Sequence, residues 1–310
     1  MARSGGYVGR GAALARRDWP GLAWLYLSNL VLAALASTAL SAEFGSVLNT
    51  SLEAQRLARG FDAAVFLDLL LRPEVTPRLL APASLFFAIA FALVTLFLTP
   101  GIVQGFLSGE HLRMGAFFQA CGRWYGRFFW FAVLTLPVFG IVLGVLSLAR
   151  DALLSWAEKS PEPRLYFYVG LGTLLVMWVA AVVLRLWFDL TQFALVHSGR
   201  FWRSIATGIR LLRQGCFRLL WIYCSISLLG WLGLAAGLWL WVKLPPERVG
   251  LAFLLGQAIL IVWLGTRYWQ RAAEALWFRE HAPALLPAAA VPVPMEPAPG
   301  PLPASPATPQ

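Results

Sequence analysis

Apolar residues run in six long stretches, at about 20–40, 83–104, 128–148, 166–188, 219–242 and 249–269, and none of these contains an acidic residue. A helix rises 1.5 Å per residue, so about 20 such residues cross the ~30 Å hydrocarbon core of a bilayer. Aromatic residues flank the stretches, among them Trp19 and Trp24, the run Phe128-Phe129-Trp130, Tyr166 with Tyr168, Trp239 with Trp241, and Tyr268 with Trp269. Rings of this kind settle at the headgroup level. The pattern predicts an all-α protein, a polytopic integral membrane bundle of six transmembrane helices.

Two of the connections between spans show helical periodicity. With Phe201 as the origin, Ile205, Ile209, Leu212 and Cys216 fall on one side of a helix, and Arg203, Arg210 and Arg213 fall on another. Around residues 112–127, Met114, Phe117, Phe118, Cys121, Trp124 and Tyr125 share a face opposite Arg113, Arg123 and Arg127. Both segments are expected to be amphipathic in-plane helices, with aromatics in the acyl boundary and arginines at anionic headgroups. Ordinary topology-fixing connectors are the plainer alternative.

The two connections also resemble each other. Ser108-Gly109 is followed 18 residues after the glycine by Arg127-Phe128-Phe129-Trp130, and Ser198-Gly199 after 19 by Arg218-Leu219-Leu220-Trp221. Each elbow carries a histidine, His111 or His197. Both copies run in the same direction, which predicts an internal parallel repeat of about 90 residues. Arg267-Tyr268-Trp269 parallels Arg185-Leu186-Trp187 and hints at a third copy built from the two ends of the chain.

The remaining segments divide the chain further. Residues 1–19 form a basic N-terminus, 20–269 the transmembrane domain, 270–282 a helical extension and 283–310 a Pro/Ala-rich tail. Ten prolines among the last 28 residues prevent a continuous helix, so the tail is expected to be disordered. The connection 41–82 has helical character, with Asn49–Ser51 and Asp62 as caps and Pro73 as a stop. Its apolar part, 61–72, is expected on the outer membrane surface or against the bundle.

Composition agrees with a membrane protein. The 310 residues are 59% hydrophobic and 13% charged, against about 25% charged in soluble domains. The net charge of +10 would suit nucleic acid only on one soluble face, and here it is divided among the connections. Sixteen basic residues fall on the side of the N-terminus and nine on the other, where nine acids offset them. The positive-inside rule then places both termini in the cytoplasm and the protein in the inner (plasma) membrane. A signal peptide over 1–36, cleaved after Ala34-Leu35-Ala36, competes with this, but the apolar stretch continues to Leu40 and favours a retained anchor. Cys121, Cys216 and Cys224 form no C-x-x-C and read as packing residues.

Candidate chemistry is sparse. Asn29, Thr95, Thr135 and Gln257 are mid-span polar residues and form the candidate intramembrane site; interhelical hydrogen bonding is the simpler role. Asp189 lies just past the fourth span, four residues from Arg185, and is expected to form an interfacial pair with it. The chain has no H-E-x-x-H, G-x-S-x-G or phosphate-binding glycine loop, so no catalytic, cofactor-binding or metal-ligating residue is expected. The outer carboxylates Asp62, Asp68 and Glu74 would matter only if they converged with a partner's site.

With its six spans, basic connectors and the Ser-Gly to Arg-x-x-Trp repeat, the chain over about residues 10–280 resembles a loose group of bacterial six-helix membrane domains. Members stand alone in the inner membrane or precede the catalytic domain of some membrane-bound glycerophosphodiester phosphodiesterases. The chain has no His-Arg or Glu-x-Asp phosphodiesterase signature, so the resemblance implies only location and fold. The expected function is non-enzymatic: a scaffold or subunit that organises anionic membrane lipids, a protein partner or a second copy, and does not bind nucleic acid. A permease with a cavity around Asn29, Thr95, Thr135 and Gln257 is the alternative.

Overall fold

A computed structural model describes residues 6–48, 82–109, 112–245 and 248–282. The expected outer helix at 61–72, the caps at 49–51 and Asp62, His111, Glu74, Asp68 and the tail 283–310 lie outside the described residues.

The described residues form seven helices and no strand: α1 Tyr7–Arg17, α2 Trp19–Leu48, α3 Pro82–Ser108, α4 Met114–Glu158, α5 Pro163–Ser198, α6 Phe201–Lys243 and α7 Val249–His281. Six of them, α2 to α7, are long and apolar enough to cross a membrane. The architecture is that of a multi-pass helical membrane protein. All six exceed the roughly 20 residues a bilayer requires, α4 most of all with 45. The segment 114–127 and the third span are therefore one uninterrupted helix rather than a connector followed by a span. In α6 the corresponding junction is marked by Gly215, whose φ of −131° and ψ of 19° leave the helical region. The kink stands where the ring of Trp277 occupies the space of a Cβ on residue 215.

Gly109 and Gly199, which follow α3 and α5, have φ of 71° and 66° and are the described residues with positive φ. Only glycine adopts this left-handed conformation without a Cβ penalty, and it ends a helix by letting the chain turn away. At Gly199 the backbone N–H donates to Leu195 O at 2.9 Å. The side chain of Arg279 crowds Gly109, and that of Arg127 approaches Gly199. The two glycines mark one end of the molecule, here called the elbow end.

The core sits at that end. Ile102 and Phe106 of α3, Phe128 and Phe131 of α4, Leu186 and Leu190 of α5, Leu211 and Leu219 of α6, and Trp277 and Phe278 of α7 are all buried. Away from the elbows the same helices turn their apolar side chains outward, as at Leu136, Ile141, Leu174 and Phe253. In water such surface would be intolerable; in lipid it is the expected exterior.

The short helix α1 lies along the elbow half of α7. A Cβ on Gly11 would stand 2.7 Å from that of Ala273, so the two backbones touch. Trp269 Nε1 donates to Val8 O at 2.7 Å, Arg10 pairs with Glu280 at 2.8 Å, and the Tyr7 hydroxyl donates to the same carboxylate. Burial, together with the Glu280 carboxylate, raises the pKa of the Tyr7 phenol above its ordinary value.

Candidate functional site

The elbow half of α7 places Arg267, Gln270, Arg271 and Glu274 within an arc of about 100°, because positions i, i+3, i+4 and i+7 share a helix face. The alanines beside them, Ala272, Ala273 and Ala275, are fully buried and let the neighbouring helices close in. Opposite this stripe stand Arg185 and Asp189 of α5 and Tyr223 and Ser227 of α6.

Asp189 is the centre of the first group. It is 2% exposed, and its two oxygens meet two guanidinium groups: Oδ2 lies 3.6 Å from Arg185 Nε, and Oδ1 lies 3.6 Å from Arg271 Nε. The carboxyl of Glu274, 1% exposed, neighbours that of Asp189 in the same site. Neither Asp189 Oδ2 nor Glu274 Oε2 has a hydrogen-bond partner. Two buried carboxyls and two part-exposed guanidiniums therefore share one site between α5 and α7.

The second group continues it toward α6. Arg267 Nη1 donates to Tyr223 Oη at 2.7 Å and to Gln270 Oε1 at 3.2 Å, and Gln270 Nε2 donates to Ser227 Oγ at 2.7 Å. The Tyr223 ring lies beneath both Arg185 and Arg267, with guanidinium carbons 5.6 and 5.9 Å from its centroid. A third contact ties in the junction of α1 and α2, where Tyr268 Oη donates to Asp18 O at 2.7 Å and reaches Asp18 Oδ2 at 3.1 Å. Gly21 and Gly105 make room for it, since a Cβ at either would stand 2.5 Å from Tyr268 Oη or 2.7 Å from Asp18 Oδ2.

This arrangement corrects the expected role of Asp189. It does pair with Arg185, but as a buried residue shared with Arg271 and Glu274 rather than as an interfacial contact. Sequence reasoning missed Glu274, Gln270, Arg271 and Tyr268. The available signal for the first three was their spacing on one face of the 270–282 segment, which reads as a helical extension when the partner helix is unknown.

The candidate intramembrane residues do not form one site. Gln257 Oε1 accepts from Tyr26 Oη at 3.0 Å, linking α7 to α2. Asn29 Nδ2 donates to Leu25 O at 2.6 Å and Thr135 Oγ1 to Phe131 O at 2.8 Å, each within its own helix. Thr95 is half-buried, and its carbonyl accepts from Thr99. Among the described residues no hydrogen bond joins any two of the four. A groove of about 310 Å³ lies elsewhere, between α4 and α5, and is lined by Leu146, Arg150, Leu153, Gly172, Thr173 and Val176 among others.

The candidate headgroup arginines Arg113, Arg123, Arg127, Arg203, Arg210 and Arg213 are all exposed. Their helices differ in the face they bury. In α4, Phe117, Cys121 and Trp124 of the apolar stripe are buried, Cys121 packs where a Cβ on Gly101 would stand, and Arg127 covers Trp124 at 4.9 Å. In α6 the buried residues are instead Ser204, Thr207, Gly208 and Leu211, while Phe201, Ile205 and Leu212 are half-buried and Ile209 is exposed.

Fold and site together define a multi-pass helical membrane protein with a buried ionic network at one end of its bundle. No protein-family model matches the chain, and no curated protein or solved structure is detectably similar to it. Among the described residues no group of three or more His, Cys, Asp or Glu side chains is placed to hold a metal ion.

Proposed function

We propose that this is a non-enzymatic scaffold of the bacterial inner membrane that gathers anionic lipid on its cytoplasmic face. The observation that carries the reading is the division of residues 201–216 into three faces. Small and hydroxylated residues, Ser204, Thr207 and Gly208, pack into the bundle. The apolar stripe Phe201, Ile205, Ile209 and Leu212 is left partly uncovered, and Arg203, Arg210 and Arg213 stand clear of both. An arm that served only to join two spans would bury its apolar stripe. This one packs Phe201, Ile205 and Leu212 only partly against the core and exposes Ile209, which leaves the outer part of the stripe for acyl chains with arginines at the headgroup level, each worth ~1 kcal/mol toward anionic lipid. Exposed Trp202 and Phe217 extend the same surface.

In this reading the elbow end is cytoplasmic, as the excess of basic residues on that side implies. The parallel repeat is supported by the matching left-handed glycines, each preceded by a serine and followed by an arginine-capped helix. The packing of α1 on α7 adds support for a third, circularly joined copy. The six-span architecture also agrees with the bacterial six-helix domains that the sequence resembles. A protein partner or second copy would dock on the lipid-facing helices.

The test is native mass spectrometry of the full chain released from nanodiscs that mix zwitterionic and anionic phospholipid. The wild type should retain anionic lipid preferentially, and Arg203→Gln/Arg210→Gln/Arg213→Gln should lose most of that preference while remaining folded. Equal retention by the two proteins would overturn the proposal.

A further inference from the structure

We propose that Asp189 and Glu274 form a proton-binding site, in which Glu274 carries one exchangeable proton and donates it to the ionised Asp189. Two buried carboxyls in contact cannot both be charged unless cations compensate each of them. The cations present form their close pairs with one carboxyl and attract Glu274 only from beyond ion-pair distance. Arg185 and Arg271 each lie 3.6 Å from an oxygen of Asp189, and among the described residues no cation lies within ion-pair distance of Glu274. Glu274 is 1% exposed, so water does not compensate it either. A proton placed between the two groups turns a repulsion into an O–H···O⁻ hydrogen bond and gives both carboxyls a partner.

The other groups around the site reinforce this assignment. From α6, Tyr223 faces Arg185 with its ring, and its hydroxyl is occupied by Arg267. From α1, Arg10 is engaged by Glu280 and Arg17 by the Gly109 carbonyl, and Asp18 at the following junction is engaged by Tyr268. The helix α3 contains no charged residue at all. A metal cation fits poorly, because two guanidiniums already flank the oxygens it would need and would repel it. The proton has a structural consequence. Its release would leave two adjacent carboxylates between α5 and α7, so loading and unloading are coupled to how tightly those helices close.

The test is an infrared pH titration of the full-length protein in nanodiscs, following the C=O stretch of protonated carboxyl groups. The wild type should show such a band at neutral pH, and it should be absent in Glu274→Gln. It should also vanish in Asp189→Asn, because Glu274 then becomes the ionised counter-charge for Arg185 and Arg271. Glu274→Gln mimics the neutral acid and should keep the thermal midpoint of the wild type. A wild type without the band overturns the site, as does a band that survives in Glu274→Gln. So does a Glu274→Gln protein that fails to fold, which would show that the carboxylate charge is required. Exchange of choline for sodium should leave the band in place, and its loss would replace the proton with a metal cation.

Discussion

The two ends of the bundle differ in how far their polar side chains reach across helices, with Tyr26 to Gln257 the exception away from the elbows. At the elbow end Tyr268, Gln270 and Trp269 reach from α7 to α1, α6 and the α1–α2 junction, and Asp189 draws arginines from two helices. Toward the other end Asn29, Thr135 and Thr173 bond to carbonyls three or four residues back on their own helices. The apolar residues follow the same division: Phe106, Leu186 and Trp277 are at most 1% exposed, while Leu136 is 75% and Leu148 72% exposed. One half of the helices therefore packs as the core of a water-soluble protein packs. The other half faces its solvent, where lipid competes with protein for every apolar contact and interhelical attraction is weak.

The comparison is broken most sharply at Asp189. Asp189→Ala removes the carboxylate that Arg185 and Arg271 pair with directly and leaves them the more distant Glu274 as counter-charge. Both retain some solvent, so the cost should fall at the low end for a broken buried pair, about 3 kcal/mol, read as a large drop in the thermal unfolding midpoint in detergent. Next in size is Gly215→Ala, whose methyl would have to displace the buried ring of Trp277. Overpacking of this kind costs about 1–3 kcal/mol, measurable in the same assay. Tyr268→Phe removes the hydroxyl that joins α7 to Asp18 and should cost about 1 kcal/mol. At the other end, Thr135→Val and Thr173→Val give up bonds to their own backbones and should change the midpoint by the equivalent of about 0.6 kcal/mol or less. If these threonines proved as costly as Tyr268, the division between the two ends would fail.

The spans were legible because a run of about twenty apolar residues is rare outside a bilayer, and all six appear as helices of membrane-crossing length. The elbows were legible as paired Ser-Gly sequences, though not as left-handed turns. The ionic network was not legible. Periodicity identifies the face of a helix but not its partner, so Glu274 carried no sign that it would meet Asp189. The arm at 201–216 shows a second limit. Its hydrophobic stripe is plain in the sequence, yet the residues that pack into the bundle are Ser204, Thr207 and Gly208. Close helix contact selects for small size there, which a hydrophobicity pattern does not register. The length of α4 shows a third: its connector and span share one helical phase, and Gly126 at their junction does not break it.

The bond between Tyr268 and Asp18 joins residues 250 positions apart, and it bears on how the protein is made. During synthesis α1 and α5 leave the ribosome well before α7. Until then α1 has not met the helix it packs on, and Asp189 has Arg185 but not Arg271 as a counter-charge. The part of the elbow-end core built on α7 can therefore close only once α7 has been made and meets α1. A chain stalled before residue 267 would display an acid with one of its two counter-charges and an open small-residue surface, features a membrane quality-control protease would read as unfinished.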